Sequence, residues 1–182
     1  MEYRNSSKAL KSYGPTALPM SELSNVTTII LAGGLGTRLS KIVSDRPKVM
    51  ADIKGKPFIT YLLDQLSEAN VEHVIISTGY MADVVENTIG DIYKSLHLQY
   101  LKEETPRGTA GGLKFAGQAV NTEYCLVING DSYTEFDAIS LFMSCKQKND
   151  FFEYDLKVDN LEFLVESGAK LKFISAFSNF FI

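Results

Sequence analysis

Two kinds of segment alternate along the chain after Asn25. Short apolar runs predict buried parallel strands at residues 27–32, 73–78, 98–102 and 124–129. Apolar positions at helical spacing predict helices at residues 57–70, 81–89, 109–120 and 138–146. Pro57 is predicted to be the first helical residue of its segment, where its missing N–H does not weaken the helix. This alternation is typical of a doubly wound, Rossmann-like α/β fold, a mostly parallel sheet flanked by helices.

The pattern changes at both ends of the chain. Residues 1–25 are rich in Ser, Asn, Gly and Pro, which predicts a flexible extension. Seven of the eleven Phe residues lie at or beyond Phe151, and residues 171–177 are predicted to form one more strand. The chain is therefore predicted to divide into residues 1–25, 26–150 and 151–182.

The composition is that of an average soluble protein, because 45% of the 182 residues are hydrophobic and 22% are charged. The net charge of −4 gives no electrostatic reason to bind nucleic-acid polymers or anionic membranes. No apolar run approaches the roughly 18 residues of a membrane span, and no signal-peptide core is found, so a cytoplasmic location is predicted. Cys125 lies in an apolar run and is predicted to be a core residue.

The run LAGGLGTRL at residues 31–39 follows the first strand, where open α/β sheets bind ligands. Glycines at positions 33, 34 and 36 let main-chain N–H groups approach a polyphosphate closely. Arg38 and Lys48, the latter in the run RPKVM, add two cations, so the segment predicts a triphosphate site. A Walker loop is excluded because the pattern G-x-x-x-x-G-K-[ST] is absent. A dinucleotide fingerprint is excluded because Leu39 stands where its third glycine is required.

Two later motifs come in a compatible order. Asn129-Gly130-Asp131 ends a strand, which brings a carboxylate to the sheet edge where a hard cation could bridge phosphates. A tight turn after a strand would also explain this Asp, but its place relative to the glycine run favours the cation site. The run EETPRGTAGG at residues 103–112 has glycines that let the backbone lie against a flat purine. Thr109 is predicted to cap the helix that follows.

These motifs together resemble the sugar-1-phosphate nucleotidyltransferases over about residues 26 to 145, and among them the guanylyltransferases that act on heptose or mannose 1-phosphates. The resemblance implies a fold of the nucleotide-diphospho-sugar transferase type, incomplete at the C-terminus. Residues 26–150 would be the nucleotide-binding nucleotidyltransferase domain, and residues 151–182 a degenerate start of the sugar-binding half. It implies that Arg38 binds the β- and γ-phosphates, that Lys48 contacts phosphate near the α-phosphorus, and that Asp131 binds Mg²⁺. The nucleotide-binding residues that it implies are Ala32, Gly33, Gly34, Gly36, Thr37, Glu103, Gly108 and Thr109.

The implied reaction is attack by a sugar 1-phosphate on the α-phosphorus of a nucleoside triphosphate, which gives a nucleotide sugar and pyrophosphate. The implied partners are a triphosphate, with GTP favoured, and a sugar 1-phosphate. A homo-oligomer is a separate expectation. The resemblance places Glu103 at the edge of the base, and guanine is favoured because its N1–H and amino group can both donate to that one carboxylate. The alternative is that Glu103 and Glu104 are solvated charges at the end of a strand. The family usually has leucine where this chain has Arg107.

The alternative is a truncated, catalytically impaired nucleotide-binding protein or an interaction subunit. Sugar-contacting segments and a second metal-binding Asp, which the resemblance implies, are not found. Transfer by this chain alone is therefore expected to be very weak or nil, because a 1 Å error in position can cost about 100-fold in rate.

Overall fold

The computed structural model describes residues 23–34, 46–133, 137–148 and 172–176, with the backbone alone for 144–148 and 172–176. The strands are β1 (Val26–Ala32), β2 (Asp52–Ile53), β3 (Lys56–Pro57), β4 (His73–Thr78), β5 (Ile92–Tyr93), β6 (Leu96–Lys102), β7 (Tyr124–Asn129) and β8 (Lys172–Ala176). The α-helices are α1 (Ile59–Glu68), α2 (Ala82–Ile89), α3 (Gly108–Gly117) and α4 (Ala138–Lys148). One turn of 3₁₀-helix spans Lys48–Met50.

Six strands form one sheet in the order β5-β6-β4-β1-β7-β8. All neighbouring pairs are parallel except β5 with β6, which is antiparallel. In the central register Ile29 lies between Ile75 and Val127. The predicted doubly wound, mostly parallel α/β fold is confirmed, and so is the strand predicted near the end of the chain, which is β8. Among the described residues no helix is both long and apolar enough to cross a membrane.

Apolar side chains are buried on both faces of the sheet. Alternate residues of a strand point to opposite sides, so each central strand contributes to both clusters. On one face Ile29, Ile75 and Val127 pack with Leu113 and Ala116 of α3. Cys125 lies in this cluster at 0% exposure, which confirms it as a core residue. The other face carries the larger cluster, to which α1, α2 and α4 contribute Leu62, Leu63, Leu66, Val85 and Phe142.

The prediction that Pro57 begins a helix is wrong. Pro57 lies in β3, paired with Asp52 of β2, and α1 begins two residues later at Ile59. The cause is a hairpin between the 3₁₀ turn and α1, which a backbone hydrogen bond from Phe58 to Ala51 closes at 2.9 Å. The short strands of this hairpin and β5 are too brief to leave a periodic pattern, so the sequence does not indicate them.

The ends of the folded region are partly described. Leu23 is 2% exposed, and its carbonyl accepts a hydrogen bond from Val26 N–H at 3.1 Å, so the chain already packs on the core three residues before β1. Residues 1–22 and 149–171, on which the division at 25 and 150 depends, lie outside the described residues. The three-part division stays a prediction.

Candidate functional site

The candidate site lies at the carboxyl ends of the parallel strands. Ala32 ends β1 and is followed by Gly33 and Gly34, Glu103 follows β6, and Asp131 comes two residues after β7. Since neighbouring parallel strands end at the same edge of a sheet, these predicted residues share one edge. Gly36, Thr37 and Arg38 lie outside the described residues, so their roles stay predictions.

Close backbone contacts explain two glycines at this edge. A methyl group at Gly79, which follows β4, would lie 2.7 Å from the carbonyl oxygen of Gly33. At Gly130 it would lie 3.0 Å from the Leu31 carbonyl, which accepts the Gly130 N–H at 2.9 Å. The strand ends therefore approach so closely that larger residues would push the turns apart.

Lys48 and Asp131, the predicted cation and metal-binding carboxylate, form an ion pair. Lys48 Nζ lies 2.9 Å from Asp131 Oδ2, and the two side chains are 32% and 44% exposed. Lys48 begins the 3₁₀ turn, in which Val49 and Met50 are buried and hold the turn on the core. Ser132 Oγ lies 3.3 Å from the other carboxylate oxygen of Asp131. A charged pair accessible to solvent therefore stands beside the end of β7.

The donor set around Asp131 suits a hard cation such as Mg²⁺. Mg²⁺ is commonly held by one or two carboxylates together with substrate phosphates and waters. Asp131 offers one such carboxylate, while the described part of the chain contains no cluster of three or more His, Cys, Asp or Glu that could hold a metal by itself. The residues fit an ion shared between Asp131 and a bound polyphosphate, with Lys48 free to exchange its partner for a phosphate oxygen.

Glu103 is the most buried acidic side chain of the site, at 9% exposure. Ser77 Oγ donates to its Oε1 at 2.8 Å, and the Arg107 N–H donates to its Oε2 at 3.1 Å. Methyl groups built at Gly33 and Gly112 would lie 2.7 and 2.8 Å from Oε1. The structure therefore gives Glu103 a fixed place between β1, β4 and α3, whereas the adjacent Glu104 is exposed.

Gly108 and Thr109 lie in the first turn of α3. Gly108 has a φ of +68°, a conformation that glycine adopts without strain. The prediction that Thr109 caps α3 is wrong, because the helix already begins at Gly108 and Thr109 is its second residue. The cap position is held by Arg107, whose N–H is satisfied by the Glu103 carboxylate.

Two residues at this edge, Ser77 and Tyr133, carry no prediction from the sequence. Ser77 donates to Glu103, and Tyr133, two residues after Asp131, is 39% exposed with its ring edge-on to Tyr61. Gly112, one of the glycines predicted to lie against a purine, borders the Glu103 carboxylate. The local sequence signal for Ser77 is the polar pair Ser77-Thr78, which ends a mostly apolar strand.

Comparison with known proteins identifies the family of the chain. Residues 27–156 match the model of the nucleotidyl transferase family. A D-glycero-alpha-D-manno-heptose 1-phosphate guanylyltransferase of Aneurinibacillus thermoaerophilus is 40% identical over 114 residues, 63% of this chain and 50% of that protein. The protein of the same name from Campylobacter jejuni is 33% identical over 151 residues, 79% of this chain and 68% of that protein.

Two solved structures are also similar to this chain. The crystal structure of HddC from Yersinia pseudotuberculosis complexed with GMP-PN matches with a TM-score of 0.60 and 38% identity, over 65% of this chain and 53% of that chain. A glucose-1-phosphate thymidylyltransferase-like structure from Bacillus anthracis matches with a TM-score of 0.61 and 25% identity, over 67% and 50%. The chain thus spans about half the length of several of the proteins that it matches. The family model covers most of the sheet and the motifs at its edge. The chain therefore belongs to the nucleotidyl transferase family.

Proposed function

We propose that this protein transfers a guanylyl group from GTP to a sugar 1-phosphate, which gives a nucleotide sugar and pyrophosphate. The names of its relatives support this proposal, since they include heptose 1-phosphate and mannose-1-phosphate guanylyltransferases. The observation that carries the choice of base is Glu103, a buried carboxylate beside the glycines that follow β1.

The reaction needs no nucleophile from the protein, because the phosphate of the sugar is already anionic at neutral pH. The work of the protein is to align two polyanions and to stabilise the charge that develops on them. In this proposal Lys48 leaves Asp131 and contacts phosphate near the α-phosphorus, and Asp131 holds Mg²⁺, which neutralises phosphate charge when bound. Gly33 and Gly34 allow the nucleotide to approach the main chain.

Glu103 would select the base by its hydrogen-bonding chemistry. Guanine has N1–H and an amino group side by side, and one carboxylate can accept from both. Adenine offers a lone pair at N1, and uracil offers one N–H between two carbonyl oxygens, so both would meet the carboxylate unfavourably. A carboxylate that accepts one bond at each oxygen retains further acceptor sites for such a ligand.

Binding measurements test the choice of base. With Mg²⁺ present, calorimetry is expected to give at least about tenfold tighter binding of GTP than of ATP or UTP. Glu103→Gln is expected to reduce this preference by about 1–3 kcal/mol, because the amide cannot accept at both positions. Glu104→Gln is the matched control, since Glu104 is exposed and should leave the preference intact. Equal affinities of the parent protein for the three triphosphates would contradict the assignment.

Pyrophosphate release in the presence of GTP tests the transfer itself. Release that requires heptose or mannose 1-phosphate and is accompanied by a guanosine diphosphate sugar supports the proposal. Release that does not depend on any sugar phosphate would contradict it. The cytoplasmic location and the homo-oligomeric state stay predictions.

A further inference from the structure

Strand β4 ends in two buried polar residues whose hydroxyl groups point to different partners. Ser77 is 0% exposed, and its Oγ donates to Glu103 Oε1 at 2.8 Å. Thr78 is 1% exposed, and its Oγ1 donates to the Leu101 carbonyl at 3.3 Å. Successive residues of a strand face opposite sides of the sheet, so only the first of these hydroxyl groups reaches the carboxylate.

The carboxylate of Glu103 is held from several directions. Ser77 donates to one oxygen, and the Arg107 N–H at the start of α3 donates to the other at 3.1 Å. Gly33 and Gly112 border the oxygen that Ser77 contacts so closely that a methyl group at either would lie within 3.0 Å of it. These contacts come from three separate elements and restrict both the position and the plane of the group.

Restriction of the plane matters for recognition of a base. The last torsion of a glutamate side chain is broad, so an unconstrained carboxylate samples many orientations. Two parallel hydrogen bonds to the edge of a flat base require both oxygens to lie in the plane of that base. A carboxylate has about four acceptor sites, and the two internal donors use one on each oxygen. Two acceptor sites are therefore left unused by these donors, which is the number that a ligand with two adjacent donors requires.

We infer that Ser77 is a positioning residue for base selection: its hydroxyl, together with the space left by Gly112, holds the Glu103 carboxylate in the orientation that reads guanine. This inference rests on the proposed function, because it assumes that Glu103 contacts the base. Ser77 itself is fully buried and acts on the nucleotide only through Glu103.

The test compares the ratio of GTP to ATP affinity in the parent, Ser77→Ala and Thr78→Val proteins, each measured by calorimetry with Mg²⁺. Ser77→Ala is expected to lower the ratio by about tenfold, because a freed carboxylate loses alignment with the base. The nearly isosteric change Thr78→Val removes the neighbouring buried hydroxyl, which contacts the Leu101 carbonyl and not the Glu103 carboxylate, and it leaves the backbone bond from the Glu103 N–H to the Thr78 carbonyl in place, so it should keep the parental ratio. The ratio is the decisive readout, since a general loss of stability lowers both affinities together.

Gly112→Ala tests the same inference without removing the hydroxyl. Alanine is favoured over glycine in a helix, so α3 should keep its stability, which thermal unfolding can check. The added methyl group would displace Oε1, and a fall in the ratio like that of Ser77→Ala is expected.

A parental ratio in both Ser77→Ala and Gly112→Ala would overturn the inference and leave the choice of guanine standing. An equal fall in Thr78→Val would also overturn it, because the loss would then follow from any buried hydroxyl of β4. A parent protein that does not prefer GTP would overturn the base assignment and this inference together.

Discussion

Buried hydroxyl groups on the central strands differ in whether they have a hydrogen-bond partner. Thr27 Oγ1 on β1 lies 2.9 Å from Thr122 Oγ1, and Ser77 Oγ on β4 donates to Glu103. Thr28 Oγ1 lies next along β1 in a side chain at 0% exposure, and it has no partner among the described residues. A buried hydroxyl without a partner has lost its bonds to water and costs stability.

Thr28→Val is therefore expected to stabilise the protein. Valine keeps the branched shape that suits a strand and removes the unpaired hydroxyl, so the free energy of unfolding should rise by about 1 kcal/mol. Urea unfolding followed by circular dichroism measures the change. Thr27→Val is the matched control and should lower the stability, because its hydroxyl has a partner. A lower unfolding free energy for Thr28→Val would show that this hydroxyl is satisfied.

At the scale of elements, Asp64 joins α1 to the β5–β6 hairpin. Its Oδ1 accepts hydrogen bonds from Lys94 Nζ at 2.6 Å and from the Tyr93 hydroxyl at 3.0 Å, and Lys56 Nζ lies 3.8 Å from Oδ2. Burial alone would raise the pKa of Asp64, but the hydrogen bonds from Lys94 and Tyr93 and the charges of Lys94 and Lys56 outweigh it and lower the pKa below its ordinary value. The ionised carboxylate is thus favoured in the folded state.

A lowered pKa in the folded state makes stability depend on pH in a defined direction. The contribution of Asp64 is fully present above its unfolded pKa of about 3.9 and is lost as the pH falls through the lower folded value. Asp64→Asn should therefore lower the free energy of unfolding at pH 7 by up to about 1 kcal/mol, since the pair stays partly hydrated. The difference from the parent should shrink below about pH 4.

Urea unfolding at several pH values measures this difference. Asp83→Asn is the matched control, because the Asp83–Lys102 pair is 75% and 58% exposed and should contribute little at any pH. A difference between parent and Asp64→Asn that stays constant down to pH 2 would contradict the electrostatic account.

At the scale of the whole molecule, the fold brings together groups that are far apart in the chain. Lys48 and Asp131 are 83 positions apart and form an ion pair, and Ser77 and Glu103 are 26 positions apart and share a hydrogen bond. The first pair combines a cation with a carboxylate beside the end of β7, and the second orients a carboxylate beside the end of β1. The residues proposed to bind phosphate and those proposed to bind the base therefore lie beside the ends of different strands, at the same edge of the sheet.

Asp131 is expected to link triphosphate binding to Mg²⁺. A chelator should weaken GTP binding to the parent protein by at least about tenfold, because phosphate charge is then no longer neutralised. Asp131→Asn should reduce this dependence on Mg²⁺, since an amide is a poorer ligand for a hard cation. Calorimetry with and without the chelator measures both effects.

Asp91→Asn is the control for that measurement. Asp91 is exposed, and its carbonyl accepts the N–H of Leu98 near the start of β6, away from the carboxyl ends of the strands. It should keep the parental dependence on Mg²⁺. If Asp131→Asn also keeps it, Asp131 does not hold the metal.

The class of fold and the strands that position the candidate site follow from the sequence alone. Burial on both faces leaves a continuous apolar run in each central strand, so His73–Thr78 and Tyr124–Asn129 were predicted with the bounds that the structure has. The glycine run and Asp131 were predicted to meet because parallel strands end at the same edge. These features depend on local composition and on a general rule of sheet geometry, and both can be read from the chain.

Which atoms contact each other at that edge depends on packing between elements that are distant in the chain. Whether Glu103 is a solvated charge or a buried acceptor depends on Ser77, Gly33 and Gly112, which come from other elements. Pro57 is compatible with a helix start by local rules, yet a hairpin closed by a bond from Phe58 to Ala51 placed it in a strand. Local preferences differ by about 1 kcal/mol or less, so contacts between distant residues override them and set the geometry of the site.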